Sequence, residues 1–345
     1  MSGFFKAISE GKDRGPMTAA WIIEGKAAGC GAVFSRDENG MKLRFRDGDF
    51  PAETAEVICG LPPGTMGILE SGDSRVFLET IPGRKKLVLC GAGHVALSLI
   101  RLCVTLGYDI TVIEDREEYA EKAREAGAQL VVCRSFGEAL DGIGGGYSTA
   151  FVIMTREHLH DVECLRRILK KPCAYAGMMG SRSRTEQIRR QMLEEQYDAR
   201  KVEQLHMPIG LAIGSRTPEE IAVSVAAELV SVMNAAEAGE AFPEGLAEEL
   251  AGEPRGVLAM IVEKSGEAPR RPGTKMLVRS DGSFLGTVGG GSAEAGILRT
   301  AGDMIRTGDR ECRLVRISMK KGTMYCGGEI TVFLMPLAGK GGMNA

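Results

Sequence analysis

The stretch KKLVLCGAGHVALSLIRLCVTLGYDITVIED, residues 85–115, decides the fold. It opens with an apolar run at 87–90, which is too short for a helix and typical of a buried strand. A glycine turn of pattern G-x-G-x-x-A follows and leads into an apolar helix. A second apolar strand at 110–113 ends in the acidic pair Glu114 and Asp115. This order of strand, glycine turn, helix, strand and acid predicts a Rossmann-like βαβ unit.

The turn and the acidic pair would carry the binding chemistry of such a unit. Gly91 would permit the tight turn, and Gly93 would let the backbone come close to a diphosphate. The helix that begins near His94 would offer its free N–H groups to an anion. Asp115, about 20 residues further on, would hold ribose hydroxyls. The pattern therefore predicts a nucleotide-type ligand, and NAD(P) is one candidate.

The composition is that of an ordinary soluble globular protein. The chain has 345 residues, is 44% hydrophobic and 26% charged, and has a formal net charge of −3. This charge gives no reason to expect nucleic-acid binding, and no apolar run reaches the roughly 18 residues that a membrane helix needs. Residues 1–15 lack the apolar core of a signal peptide. Nine cysteines without a CxxC pair argue against a zinc ribbon or a disulfide framework, so a cytoplasmic protein is expected.

The chain length predicts several domains, and the fold class is α/β. Residues 1–82 are predicted to form a small N-terminal α+β domain, with a hairpin around Asn39-Gly40. Residues 83–236 are predicted to form a Rossmann-like, doubly wound parallel sheet in which strands alternate with helices. Residues 237–254 are acidic and carry glycine and proline, which is typical of a linker. Residues 255–345 are predicted to form a second small α+β domain.

One similarity links the two ends of the chain. RVFLE at 75–79 resembles TVFLM at 331–335, and a proline follows each segment. The N-terminal domain is therefore expected to be a diverged relative of the last domain.

The loops after the predicted parallel strands are candidate sites, because ligands of such sheets bind beyond the carboxyl ends of the strands. After the fourth strand, the sequence TREHLHD places two of the chain's four histidines at 158 and 160. With His94, they are candidates for ligand binding, a metal site or proton transfer. The alternative is that His158 and His160 cap a helix or bind nearby loops, since the spacing fixes no third metal ligand.

Two further segments of the Rossmann-like domain point to this edge. Gly180, Ser181 and Arg182 stand at a helix start, where they favour an anion site; a capped, solvated helix start is the alternative. The glycine-rich segment 208–216 is expected to border a site. It precedes a helix whose N-cap is Thr217.

A glycine run in the last domain predicts a second anion cradle, because it leaves several N–H groups free at a helix start. Glu294, in the first turn of that helix, would stabilise the helix dipole or contact the ligand. Cys326, beside two glycines, is a candidate functional thiol, although most single cysteines are inert. The residues of the cradle are Gly289, Gly290, Gly291 and Ser292.

Together these motifs resemble the XdhC/CoxI family, the accessory factors for maturation of molybdenum hydroxylases such as xanthine, aldehyde and CO dehydrogenases. The similarity covers about residues 85–236, the family's Rossmann-like half, and 255–338, its other domain. The motifs that carry it are GAGHVA at 91–96, VIEDRE at 112–117, VIMTREHLHD at 152–161, YAGMMGSRSR at 175–184, PIGLAIGSRTPEEIA at 208–222, GEAPRRPGTKMLV at 266–278, GTVGGGSAEA at 286–295 and CGGEITVF at 326–333.

The sequence departs from the family pattern in two respects. The domain with the three glycines commonly precedes the Rossmann-like half, whereas here it follows, as in the variant associated with aldehyde-oxidoreductase maturation. Some relatives also carry cysteine where this chain has Ser292. A sulfur-handling role at that position is therefore unsupported, and Cys326 is the better thiol candidate.

The resemblance implies a chaperone without turnover of its own. It would bind molybdenum cofactor, as molybdopterin or its dinucleotide form, protect it during exchange of its terminal ligand for sulfur, and pass it to a client. The expected partners are an apo molybdenum hydroxylase and a cysteine desulfurase, and the small domains with long glycine loops favour a homodimer. The cradles on two domains would close around one cofactor, with His94, His158 and Arg271 at the cleft.

Two other classes of function are compatible with the motifs. An NAD(P)-dependent oxidoreductase would use Gly91, Gly93 and Asp115, with His158 as proton donor, but no recognisable substrate domain accompanies the fold. A metal hydrolase would need a metal at His94, His158 and His160. No residue is assigned a catalytic role, and the identity of any metal ligand is open.

Overall fold

The computed structural model of the protein describes residues 2–11, 15–37, 40–236, 242–243, 245–267, 270–318 and 328–339. The chain divides into two units. One is the continuous segment 84–236, and the other combines residues 1–83 with residues 237–345. The sequence predicts three domains, whereas the structure groups the two ends of the chain, because they build one hydrophobic core together.

The N-terminal segment forms an antiparallel sheet of five strands with two helices. The strand order is β3-β2-β1-β5-β4. The predicted hairpin is confirmed, because β2 pairs with β3, although residues 38 and 39 of its turn lie outside the described residues. The elements are α1 (Ser2–Gly11), β1 (Met17–Glu24), β2 (Gly31–Asp37), β3 (Gly40–Arg46), α2 (Ala52–Cys59), β4 (Gly67–Ser71) and β5 (Ser74–Ile81).

The middle segment forms the Rossmann-like unit. Its elements are β6 (Lys86–Cys90), α3 (His94–Thr105), β7 (Asp109–Ile113), α4 (Glu117–Glu125), β8 (Leu130–Val132), α5 (Phe136–Gly142), β9 (Gly146–Ile153), α6 (Asp161–Ile168), β10 (Cys173–Met178), α7 (Arg182–Glu194), α8 (Ala199–Glu203) and α9 (Pro218–Ala236). All five strands are parallel, in the order β10-β9-β6-β7-β8. The predicted α/β class is confirmed.

Two apolar cores cover the two faces of this sheet. Leu87 and Leu89 of β6 pack with residues of α3 and α9, whereas Val88 and Cys90 pack with residues of α5, α6 and α7. The sheet is therefore doubly wound, as predicted. Burial on both faces explains why the parallel strands are continuous apolar runs.

The outer edge of β10 is covered by the segment 206–209. The carbonyl of His206 accepts the N–H of Met178 at 3.0 Å, and the N–H of His206 donates to the carbonyl of Ala176 at 2.9 Å. The N–H of Ile209 then donates to the carbonyl of Met178 at 3.1 Å. Because Met178 is the last residue of β10, these bonds bring the glycine-rich segment 208–216 to the carboxyl end of the sheet.

The C-terminal segment adds a second antiparallel sheet of five strands, in the order β13-β12-β11-β15-β14. Its first helix lies within the stretch predicted to be a linker. Leu246 and Leu250 of that helix are buried in the core shared with α1, so the stretch is packed at this point. The elements are α10 (Leu246–Ala251), β11 (Arg255–Gly266), β12 (Lys275–Arg279), β13 (Phe284–Gly286), α11 (Gly291–Thr307), β14 (Arg313–Ser318) and β15 (Gly328–Ala338).

A buried ion pair joins the N-terminal and C-terminal segments. Nζ of Lys275 on β12 lies 2.6 Å from Oε2 of Glu79 on β5, and both side chains are fully buried. Nε1 of Trp21 donates to Oε1 of Glu79 at 2.7 Å. Lys275 also donates to the carbonyl of Gly273 at 2.7 Å. Buried charges of this kind are tolerated only when they are paired, so each segment depends on the other.

Candidate functional site

The structure brings the predicted residues of the Rossmann-like unit to the carboxyl edge of its parallel sheet. Each residue follows the end of a strand or stands at the start of the next helix. His94 is the first residue of α3 and is exposed. The residues at this edge are Gly91, Gly93, His94, Asp115, His158, Gly180, Ser181 and Arg182.

The two glycines of the turn after β6 meet different requirements. Gly91 has a φ of 104°, and a Cβ there would lie 2.3 Å from the carbonyl oxygen of Met154. Gly93 is the N-cap of α3 with a φ of −72°, and a Cβ there would have no heavy atom within 4 Å. Gly91 is therefore required by backbone packing. Gly93 leaves open space before the first turn of α3 and, as a glycine, supplies no side chain to cap it.

The first acid after β7, Glu114, has a structural role. Its side chain is 1% exposed, and it accepts hydrogen bonds from the N–H of Ala92 at 2.8 Å and from Nε of Arg116 at 2.8 Å. Burial by itself would raise the pKa of Glu114. The bonds from Arg116 and Ala92 outweigh burial and hold this pKa below its ordinary value. A stable carboxylate therefore closes the glycine turn.

The second acid, Asp115, is the one that a ligand can reach. Its side chain is 40% exposed, with Oδ1 3.7 Å from Nε of Arg116 and Oδ2 3.8 Å from Nε2 of His160. Burial and the hydrogen bond with Glu114 raise the pKa of Asp115. The structure thus places Asp115 just beyond the carboxyl end of β7, and its contact with ribose hydroxyls stays a prediction.

The loop after β9 holds His158 by strong polar contacts. Glu157 and His158 both have left-handed backbone conformations, with φ of 47° and 62°. Nδ1 of His158 lies 2.7 Å from Oδ2 of Asp161, and Oδ1 of Asp161 accepts the Thr155 hydroxyl at 2.7 Å. Asp161 is fully buried. Because Nδ1 is engaged, Nε2 is the ring nitrogen of His158 that can meet a ligand.

Two side chains at the start of α7 already form hydrogen bonds within the protein. Ser181 is the N-cap, and its hydroxyl accepts the N–H of Arg184 at 3.3 Å. Nη2 of Arg184 donates to the carbonyl of His158 at 3.0 Å and lies 3.5 Å from Oδ2 of Asp161. Its Nε is buried without a hydrogen-bond partner in the described part of the chain. Arg184 therefore positions the histidine loop, whereas Arg182 is exposed at this edge.

The predicted cradle in the last domain is closed by Glu294. Oε2 of Glu294 accepts the N–H groups of Val288 and Gly290, each at 3.3 Å, and contacts the hydroxyl of Thr287. Gly290 and Gly291 have φ of 75° and 63°, which favour glycine. The protein's own carboxylate thus takes up the N–H group of Gly290, one of those that the sequence assigns to an external anion. Glu294 lies in the first turn of α11, as its expected role at the helix dipole requires, and its contact with a ligand stays a prediction.

Three other residues of that domain are also predicted to be site residues. Arg271 is exposed on the loop before β12, and its carbonyl accepts the hydroxyl of Thr274 at 2.8 Å. Ser292 lies in the first turn of α11. Cys326 lies outside the described residues.

A polar cluster beside β10 is not evident from the sequence. The hydroxyl of Tyr175 donates to Oε2 of Glu228 at 2.6 Å, and the N–H of Gly210 donates to the same oxygen at 2.9 Å. Nδ1 of His206 lies 3.2 Å from Oε1 of Glu228, and its ring stacks on Tyr175. Burial raises the pKa of Tyr175, which keeps the phenol protonated as a donor. The cluster ties the glycine-rich segment 208–216 to α9.

His158 and His160 are held by neighbouring carboxylates. Within the described ranges, no group of three or more His, Cys, Asp and Glu residues is placed to hold a metal ion. His158 binds Asp161, whereas Nδ1 of His160 lies 3.4 Å from Oε2 of Glu163. Among the helices that the structure describes, none is long and apolar enough to cross a membrane.

A parallel sheet with a glycine turn at the end of its first strand and an acid at the end of its second defines a Rossmann-type unit. The sequence profile of the XdhC Rossmann domain matches residues 87–229, and the profile of the XdhC and CoxI family matches residues 250–318. Together the two matches span more than half of the chain. The chain belongs to the XdhC and CoxI family.

Several known proteins are similar to parts of this chain. The uncharacterized protein YqeB of Escherichia coli (strain K12) is 33% identical over 169 residues, which are 49% of this chain and 31% of that protein. A protein of Bacillus subtilis (strain 168) named as a probable xanthine dehydrogenase subunit is 27% identical over 157 residues, 46% of each chain. The chain thus spans less than half the length of either relative. A solved xanthine dehydrogenase from Bacillus halodurans has 20% identity and a TM-score of 0.48, covering 68% of this chain and 65% of that one.

Proposed function

We propose that this chain is a maturation factor for a molybdenum hydroxylase and holds molybdenum cofactor at the carboxyl edge of its Rossmann-like unit. Membership of the XdhC and CoxI family supports the maturation role. The Bacillus subtilis relative, by its name as a probable xanthine dehydrogenase component, supports a client of that type. The observation that carries the binding proposal is the open space at Gly93, an N-cap without a side chain, before the first turn of α3.

The residues at this edge fit the chemistry of the cofactor, which combines a phosphate or a dinucleotide tail with a polar pterin. The N–H groups at the start of α3 suit the phosphate, because a helix N-terminus favours anions. Asp115 and Nε2 of His158 are suited to hydrogen-bond the hydroxyls or ring nitrogens of the pterin or of the dinucleotide tail. When bound, the cofactor supplies the molybdenum dithiolene centre that the client needs. This chain would bind and shield it, and sulfur would come from a partner such as a cysteine desulfurase.

A pair of substitutions at Gly93 tests the proposal without disturbing the fold. Asp and Asn are equally good N-caps, so Gly93→Asp and Gly93→Asn differ mainly in charge. Each protein is purified from a host that makes molybdenum cofactor, and molybdenum and released pterin are measured after denaturation. We expect molybdenum and pterin in the wild type and less of each in Gly93→Asn, whose amide oxygen can cap N–H groups of α3. We expect a further loss of roughly tenfold or more in Gly93→Asp, because the added carboxylate repels the phosphate.

Two results would contradict the proposal. Equal retention of cofactor by Gly93→Asp and Gly93→Asn would show that the start of α3 is not the site. Absence of molybdenum and pterin from the wild type, with saturable NAD(P)H binding that Gly93→Asp abolishes, would favour the oxidoreductase in which Asp115 and His158 serve a nicotinamide nucleotide.

A further inference from the structure

The N-terminal segment α1 to β5 and the C-terminal segment α10 to β15 have the same order of elements. Each consists of a helix, three strands, a second helix and two strands. We call them the N-terminal module and the C-terminal module. Their sheets have the orders β3-β2-β1-β5-β4 and β13-β12-β11-β15-β14, so every strand has an equivalent in the same place.

The two modules also share an irregularity of strand pairing. The register of β1 with β5 shifts between Ile22 and Glu24, and the register of β11 with β15 shifts between Ile261 and Glu263. Alignment on this shift makes RVFLE at 75–79 equivalent to TVFLM at 331–335, which is the similarity seen in the sequence. Other equivalent pairs are Ala20 and Ala259, Trp21 and Met260, Ile22 and Ile261, Val76 and Val332, and Phe77 and Phe333.

Each module uses one face of its sheet for its own second helix. Ile22 and Val76 are buried in a core with residues of α2. Their equivalents Ile261 and Val332 are buried in a separate core with residues of α11. One sheet face in each module therefore serves the same purpose at the same positions.

The opposite faces of the two sheets build one common core. Trp21 and Phe77 of the N-terminal module share it with their equivalents Met260 and Phe333 of the C-terminal module. The first helices, α1 and α10, pack on each other. Equivalent elements thus contact one another, as in the interface of a two-fold symmetric dimer. The buried residues of these helices have the same spacing in both: Phe4, Phe5 and Ile8 in α1, and Leu246, Ala247 and Leu250 in α10.

We propose that the N-terminal module is a second, diverged copy of the C-terminal module. It covers the sheet face of the C-terminal module on which another such module would otherwise pair. The profile of the XdhC and CoxI family matches only within the C-terminal copy and its flanks. The N-terminal copy therefore takes the place that a second protomer would occupy on this face. A homodimer of the whole chain would have to use another surface.

The copies differ at the turn before the second helix. The C-terminal copy carries the glycines 289–291, whereas the equivalent connection from β3 to α2 contains Asp47 and Asp49 and ends at Pro51, the N-cap of α2. Two carboxylates and a residue without an N–H group do not suit an anion. The turns of the two copies are therefore not equivalent, and the N-terminal copy serves as a built-in partner.

Hydrogen exchange of the full chain tests the pairing. Phe77→Ala and Phe333→Ala each remove a ring from the common core, whereas Val76→Ala and Val332→Ala remove side chains from the core of a single module. We expect each phenylalanine variant to speed exchange about 10- to 100-fold in the strands of both modules. Each valine variant should speed exchange mainly in its own module. Peptides from 84–236 report the other unit and serve as an internal control.

The opposite pattern would overturn the proposal. If Phe77→Ala loosened only the N-terminal module and Phe333→Ala only the C-terminal module, the two would be independent neighbours and not paired copies. Phe77→Leu and Phe333→Leu are the milder pair for the same measurement, in case an alanine variant fails to fold.

Discussion

The carboxylate of Glu114 accepts the backbone N–H of Ala92 at 2.8 Å, so an acid at the end of β7 fixes the glycine turn at the end of β6. The same carboxylate is held by Arg116. The shape of the candidate site therefore depends on a buried charge that does not itself face a ligand. The stability of the fold should accordingly depend on Glu114 far more than on its neighbour Asp115.

We expect Glu114→Gln to lower the free energy of unfolding by about 1–3 kcal/mol, because a buried hydrogen-bonded charge is lost and Arg116 loses the nearer of its two carboxylates. Urea unfolding followed by circular dichroism measures the change. Asp115→Asn is the matched control. Asp115 is 40% exposed, so its variant should stay within about 0.5 kcal/mol of the wild type at neutral pH. Equal effects of the two substitutions would contradict the assignment of Glu114 to the fold.

The stability difference from the wild type should change with pH in opposite directions for variants of these two residues. The pKa of Glu114 is held below its ordinary value of 4.5, so its stabilising contribution is complete above pH 4.5 and is lost as the pH falls through the lowered pKa. The loss of stability in Glu114→Gln, relative to the wild type, should therefore become smaller as the pH falls. The pKa of Asp115 is raised above 3.8, so Asp115→Asn should gain stability relative to the wild type as the pH rises. Unfolding curves between pH 3 and 7 would show whether the two trends diverge.

The two glycines of the turn should respond differently to alanine. Gly91→Ala forces a Cβ to 2.3 Å from a backbone oxygen at a positive φ, and we expect a loss of about 2–5 kcal/mol. Gly93→Ala adds a Cβ to open space, and we expect a loss of at most about 1 kcal/mol. Thermal unfolding of the two variants compares them directly. A Gly93→Ala variant as unstable as Gly91→Ala would mean that the space at Gly93 is not open.

The buried pair of Glu79 and Lys275 should behave as a coupled unit. Lys275→Met leaves the charge of Glu79 buried without its cation, and we expect a loss of about 3–5 kcal/mol. The double variant Glu79→Gln/Lys275→Met should lose less than the sum of the single variants. Trp21, the only tryptophan of the chain, is buried beside Glu79, so its fluorescence reports the unfolding of this unit.

The control for this experiment is Lys42→Met, which removes an exposed lysine of β3 in the same unit. An equal shift of the urea midpoint in Lys42→Met and Lys275→Met would show that the buried pair contributes nothing specific. Additive losses at Glu79 and Lys275 would show that the two charges do not interact.

Much of the Rossmann-like unit is predictable, because its signals are local. Apolar runs mark the parallel strands, and the predicted N-cap of α9 forms, with the N–H of Glu220 bound to the Thr217 hydroxyl at 3.3 Å. The common core of the two modules is not predictable in this way. The contact of Glu79 with Lys275 joins residues far apart in the chain, and no periodic pattern records it.

The sequence predicts which loops form the candidate site, but it does not predict which hydrogen bonds their side chains make. Topology alone places Asp115 and His158 at one edge of the sheet. It does not show that Glu114 turns inward, that Ser181 caps α7, or that Glu294 closes its own glycine turn. Those outcomes depend on local hydrogen-bond geometry, in which a neighbouring side chain competes with any ligand for the same N–H group.

The segment 206–209 along β10 has a consequence for aggregation. An exposed edge strand is a template on which another chain can add a strand. At this edge the backbone groups of Ala176 and Met178 are already bonded to His206 and Ile209. The opposite edge strand, β8, has only three residues. The parallel sheet is thus blocked at one side and too short at the other to seed intermolecular strand addition.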